Sequence, residues 1–137
     1  MTKIEMLAAY LPYGVHAVTD DSKTGEIVGI TKKNAQTQSN PIRVSIKSKR
    51  YPDVIRDSFF DYDEVKLLLR PISEVEQAKT KLFSNLEDKK MQVWWMDTEQ
   101  KLLSGNFDLV ESGIIKDLNK LHFDTGNFIE KGWAVAK

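Results

Sequence analysis

The chain has 137 residues, no cysteine, and 20 basic residues balanced by 20 acidic ones. With 41% hydrophobic and 29% charged residues, it has the make-up of one ordinary folded domain, expected to span 1–137, and not that of a disordered chain. Disulfides, thiolate nucleophiles and Cys-based metal sites are excluded, and the balanced charge gives no whole-molecule attraction to nucleic acid or to an anionic membrane.

Near the N-terminus, Ile4, Leu7, Ala8 and Leu11 recur at helical spacing and Pro12-Tyr13-Gly14 stops the pattern, which predicts a short helix over 4–11. The apolar run from Met6 to Leu11 is too short to span a bilayer, and Glu5 stands where a signal peptide carries positive charge; a cytoplasmic location without membrane contact is expected. β-Branched residues dominate 14–19 and 26–31 on either side of the turn-rich Asp20-Asp21-Ser22-Lys23-Thr24-Gly25, the pattern of a hairpin. Ile42-Arg43-Val44-Ser45-Ile46-Lys47 alternates strictly, as a third strand with one wet face does.

Past Pro52 the period changes. Val65, Leu68 and Leu69 follow the acidic Asp61-Tyr62-Asp63-Glu64 and are cut off by Arg70-Pro71, which reads as a short helix, with an edge strand over 66–69 as the alternative. Ser73-Glu74-Val75-Glu76 has the form of a capping box ahead of the stripe Val75, Ala78, Leu82 and Leu86, predicting a helix. Between Met91 and Leu103 both periods fit: Met91, Trp94, Trp95 and Leu102 can share a helix face, yet Gln92-Val93-Trp94-Trp95 is equally good strand material. Asp108 and Glu111 suit the start of a helix with Leu109, Ile114, Leu118 and Leu121 on its apolar side. After it, Asp124 or Thr125 can cap a short turn through Phe128 and Ile129 that ends at Gly132. Five large apolar groups in 122–135 predict that this end is folded into the core, with Trp133 turned back toward Ile114, Leu118 and Leu121. The fold class expected is α+β: a small antiparallel sheet of about three strands from the N-terminal half, packed with helices from the C-terminal half.

The residues that carry chemistry are few. Of the two histidines, His16 lies in a strand pattern where a solvated or packing role is expected, while His122-Phe123-Asp124 sets an imidazole two residues from a carboxylate, without a third ligand in the pattern. The acidic group Asp57, Asp61, Asp63 and Glu64 does not have the EF-hand order and reads as helix-start charge. No Gly-rich phosphate loop and no G-x-S-x-G elbow occurs. Between Ser22 and Arg50, seven basic residues (Lys23, Lys32, Lys33, Arg43, Lys47, Lys49 and Arg50) face one acidic residue, Glu26. Arg43 and Lys47 share the wet face of their strand, and Tyr51 follows them with a ring able to stack on a base. Edge-strand charge that prevents aggregation is the simpler reading of the same residues. Trp94 and Trp95 cannot both point into one core, so one indole is a candidate interface anchor.

Three blocks, Leu7-Ala8-Ala9-Tyr10-Leu11-Pro12-Tyr13-Gly14, Leu69-Arg70-Pro71-Ile72-Ser73-Glu74-Val75, and His122-Phe123-Asp124 with Phe128-Ile129-Glu130-Lys131-Gly132, resemble a group of short uncharacterised proteins encoded in genomes and prophages of Bacteroides-type bacteria. The chain differs from that pattern at Thr125-Gly126-Asn127 and at Trp133. The resemblance implies a phage or mobile-element setting and carries over no cofactor and no catalytic residue. The function expected is therefore a non-enzymatic protein-binding module in the host cytoplasm, with an unknown protein partner, no cofactor, and Trp94 and Trp95 as contact candidates. A nucleic-acid-binding accessory protein, binding weakly through Arg43, Lys47, Lys49, Arg50 and Tyr51, is the first alternative. A metal-dependent enzyme around His122 and Asp124 is the second.

Overall fold

The computed structural model describes residues 2–30, 42–47, 54–61, 63–82 and 88–137. Helix α1, Lys3–Tyr10, begins at Thr2, whose hydroxyl accepts from the Glu5 amide at 3.2 Å, satisfying one of the free first-turn donors. Met6, Leu7 and Tyr10 form its buried face. Pro12 turns the chain through the 3-10 helix Leu11–Tyr13, and Gly14 leaves it at φ +66°, a left-handed position that glycine takes without steric cost.

Strands β1 (His16–Thr19) and β2 (Thr24–Ile30) form the expected hairpin. Thr19 shapes its turn, accepting from the Lys23 amide at 3.1 Å and donating to Asp21. Gly25 lies in β2 rather than in the turn; a Cβ there would overlap the Ser45 carbonyl oxygen of β3, so this close strand approach admits no side chain. β3 is Ile42–Lys47, β4 is Ile55–Phe60 and β5 is Val65–Leu69. The short β6, Ala134–Ala136, completes a six-stranded sheet in the order β4-β3-β2-β1-β5-β6. Every pairing is antiparallel except β5 with β6.

The α+β class holds, but the expected sheet of about three antiparallel strands is corrected to six strands in a mixed sheet. β4 stands where no element was read, β5 replaces the predicted short helix, and β6 comes from the C-terminal end. In β5 the physical reason is visible: Val65, Leu67 and Leu69 are fully buried while Lys66 is exposed, the period-two pattern of a strand. Nor is β5 an edge, since β1 and β6 flank it. The acidic residues before it belong to a turn in which Glu64 Oε1 accepts from the Asp61 amide at 3.0 Å, not to a helix start.

After Pro71 the chain forms a 3-10 helix, Ile72–Ala78, that passes into α2, Lys79–Leu82; the capping-box residue Ser73 makes no cap. Val75 and Ala78 are buried as the stripe requires, and Leu86 lies outside the described residues. Helix α3, Lys89–Leu103, resolves the ambiguous stretch in favour of helix. α4, Ser112–Lys120, buries Ile114 and Leu118. Asp108 does not cap it but sits in the separate turn Phe107–Leu109, which leaves Leu109 exposed instead of on the apolar side.

Two apolar clusters result. One lies between α1 and a sheet face, built from Met6, Leu7, Tyr10, Val44, Leu67 and neighbours. The other joins the 3-10 helix, α3 and α4 through Val75, Trp95, Leu102, Leu118 and Phe123. The C-terminal segment is built into both, as expected of so apolar an end, but Trp133 is not where the sequence placed it. It stacks on Phe128 at 6.1 Å and packs on the α1 cluster, because its carbonyl accepts from the Leu67 amide at 3.2 Å as the chain enters β6. Strand pairing, not the α4 face, sets its direction.

Candidate functional site

Helix α3 carries the one pair of residues singled out as protein contacts. Asp88 starts it, its Oδ1 accepting from the Lys90 amide at 2.8 Å. Trp95, Thr98 and Leu102 then face the second cluster, at the spacing of three and four that one helix face requires. Trp95 is only 4% exposed, and Trp94 is half-buried against the same cluster. Trp95 is thus a core residue, and Trp94 is the indole that keeps part of its surface in solvent. The residues that project are Val93, Met96 and Leu103, with 67%, 70% and 50% of their surface in solvent. Sequence reasoning passed over them, although their spacing with exposed Gln100 (three, four, three) is itself a helical stripe.

A shallow cleft of about 360 Å³ borders this stripe, lined by Glu76, Lys79, Gln92, Trp95, Met96 and Glu99. Trp95 Nε1 donates to Glu76 Oε2 at 3.5 Å, and Lys79 ion-pairs with the same carboxylate. Glu76 and Glu99 adjoin in this cleft, and each carboxyl group shifts the other's protonation. The neighbouring Glu99 carboxyl group, with the contact from Lys79, holds Glu76 down at about 2. The same contact and partial burial push Glu99 up. Packing of the 3-10 helix on α3 creates this pair, so no spacing in the sequence could announce it.

A larger cleft, about 550 Å³, opens between α1, the Phe107 turn, α4 and the loop after Asp124. Tyr10, Asn119 and Thr125 supply polar groups at its wall. Those groups serve each other: the Tyr10 hydroxyl donates to the Phe123 carbonyl at 2.5 Å, and Thr125 Oγ1 donates to Asn119 Oδ1 at 2.6 Å. Burial pushes the Tyr10 hydroxyl up to about 12.

Of the sheet residues read as a nucleic-acid surface, Arg43 and Lys47 lie among the described residues, both on β3. Arg43 is exposed on β3, but its Nε stands 3.7 Å from Asp57 Oδ2 and its Nη2 donates to the Val28 carbonyl at 3.5 Å. Strand pairing sets Phe59, an exposed aromatic, directly opposite it. Lys47 closes β3 opposite Ile55. Lys49, Arg50 and Tyr51 lie outside the described residues. His16 is exposed and pairs across the hairpin with Glu26.

His122 and Asp124 are drawn apart in role. His122 sits at φ +64°, and its Nε2 lies 2.7 Å from the Tyr13 carbonyl; because a carbonyl only accepts, that nitrogen carries the proton. Asp124 accepts from the amides of Gly126, Phe128 and Ile129 at 3.2, 2.8 and 3.0 Å, which forms the short turn before Gly132. Among the described residues no group of three or more metal-ligating side chains is assembled, and no helix is long and apolar enough to cross a membrane. Compared with known proteins, the chain matches no family model, no curated sequence and no solved structure.

Proposed function

We propose that this chain is a protein-binding module whose contact surface is the outer face of α3. The observation that carries the reading is the side of a 15-residue helix opposite its buried residues, where Val93, Met96 and Leu103 stand exposed together. Single exposed apolar residues are ordinary, but a stripe of large ones marks a surface that is covered in use. Burying each contributes about 1.5 to 3 kcal/mol, and methionine adapts its shape to a partner at little cost. The likeness of the three sequence blocks to prophage-encoded proteins supports a phage or mobile-element setting for that partner.

The test is capture of interacting proteins from a bacterial host lysate by the wild-type chain and by Met96→Glu, which places a charge on the stripe without touching the core. Wild type should retain a partner through a high-salt wash, since apolar contacts are little screened, and Met96→Glu should lose it. An Arg43→Glu, Lys47→Glu control should behave as wild type, whereas phosphate-driven binding would vanish in that control and in salt. Equal capture by wild type and Met96→Glu would overturn the proposal.

A further inference from the structure

We infer that the outer face of α3 receives a second copy of this chain, with the two α3 helices running antiparallel about a two-fold axis level with Trp94 and Trp95. This rests on the reading of that face as a contact surface and adds the identity of its occupant. The argument is the order of charges along the stripe. Lys90 in the first turn of α3 is basic, and Asp97, seven residues further on, is acidic. Seven residues of helix span about 10.5 Å and return a side chain to nearly the same face, so the two charge groups flank one stripe.

In an antiparallel pair with that axis, Val93 of each copy lies across from Met96 of the other. Lys90 then comes opposite Asp97 of the second copy, twice over by symmetry. A parallel pair sets lysines beside lysines and carboxylates beside carboxylates, which repel. Asp97 is already held along the helix by Lys101 at 2.9 Å, so its carboxylate is positioned at the surface before the second copy arrives.

That axis pairs residues 89–100 of the two α3 helices, about 18 Å at 1.5 Å per residue, and leaves Leu103 outside the overlap, so the paired stripe covers less than the roughly 800 Å² per partner of a standard interface. The dimer is accordingly weak and reversible, with a dissociation constant on the order of 10 to 100 μM.

Sedimentation equilibrium of the full chain from about 5 to about 500 μM brackets that range. Wild type should show a monomer–dimer equilibrium, and Met96→Glu should weaken it at least about tenfold. Lys90→Glu and Asp97→Lys, both at exposed positions, should each weaken self-association, and their equimolar mixture should restore the dimer because the swapped charges meet again. Far-UV circular dichroism and thermal melts matching wild type establish that each variant is folded. A wild type that stays monomeric throughout, a dimer indifferent to Met96→Glu, or a mixture no better than its components would overturn the inference. If wild type is monomeric while Met96→Glu still loses a captured partner, self-pairing falls and the contact surface stands. If both fail, the surface reading falls with it.

Discussion

Tyr10 shows how one side chain holds two cores together. Its ring is fully buried against the sheet, edge-on to Phe128 at 6.2 Å, and its hydroxyl bonds the Phe123 carbonyl and accepts from the Thr125 amide at 3.2 Å. Phe123 belongs to the helical cluster and lies under the Arg70 guanidinium at 4.3 Å, so this contact joins the α1 cluster to the helical one. Tyr10→Phe keeps the ring and leaves buried partners unpaired, which should cost about 1 to 3 kcal/mol in chemical denaturation. Burial raises the hydroxyl from 10.0 to about 12. The neutral form is the one the fold prefers, so its stabilising contribution is complete below about pH 10 and is lost as pH rises through about 12. Alkaline thermal melts should therefore fall more steeply in wild type than in Tyr10→Phe, and parallel curves would show that this hydroxyl does not govern the alkaline limb.

At the scale of elements, the 3-10 helix Ile72–Ala78 packs on α3 through Val75, Ala78, Trp95 and Leu102, and Glu76 and Glu99 adjoin in the cleft beside that contact. Glu99 is raised above its ordinary 4.5 by the neighbouring Glu76 carboxyl group and by burial, so its contribution is complete below 4.5 and lost as pH rises through its raised value. Glu76 is lowered, first by Glu99 and then by Lys79, so its contribution is present above 4.5 and lost as pH falls through about 2. The pair therefore holds the two elements best in mild acid. Glu99→Gln substitutes an amide that donates to Glu76 at every pH. Melting temperature followed from about pH 4 to about pH 7 should decline less in Glu99→Gln than in wild type. A variant that tracks wild type across that range would show that Glu99 does not govern this pH dependence.

At the scale of the whole molecule, the chain is closed by its last residues. Arg70 donates its amide to the His122 carbonyl at 2.7 Å and accepts from the Asp124 amide at 2.9 Å, and the Lys137 amide reaches the Leu69 carbonyl at 2.8 Å. Together with β6, these bonds bind the C-terminal segment along β5. Phe123, Phe128 and Ala134 are buried beneath them. Each large side chain there contributes about 1.5 to 3 kcal/mol, against a total of about 5 to 15 for a domain. Truncation after Lys120 removes these contacts and exposes β5, so the shortened chain should lose its cooperative melt and its amide dispersion by NMR. A truncated chain that retained both would make the segment an accessory to a core complete without it.

Elements specified by their own neighbours were legible in the sequence: α1 by its stripe and its Pro-Gly stop, the β1–β2 hairpin and β3 by alternation, and the turn at Asp124 by its cap and Gly132. So was the burial of the apolar C-terminal end. What the tertiary structure decided is everything that depends on a remote partner. Val65–Leu69 fits a helix or a strand until β1 and β6 lie on either side of it, and Gln92–Trp95 fits both until Trp95 and Leu102 meet Val75 and Leu118. The same holds for the surface. Which tryptophan is covered, that Val93 and Met96 are left outside, and that Glu76 meets Glu99 all follow from how α3 settles on the 3-10 helix, because local periodicity states a side chain's face but not what that face meets.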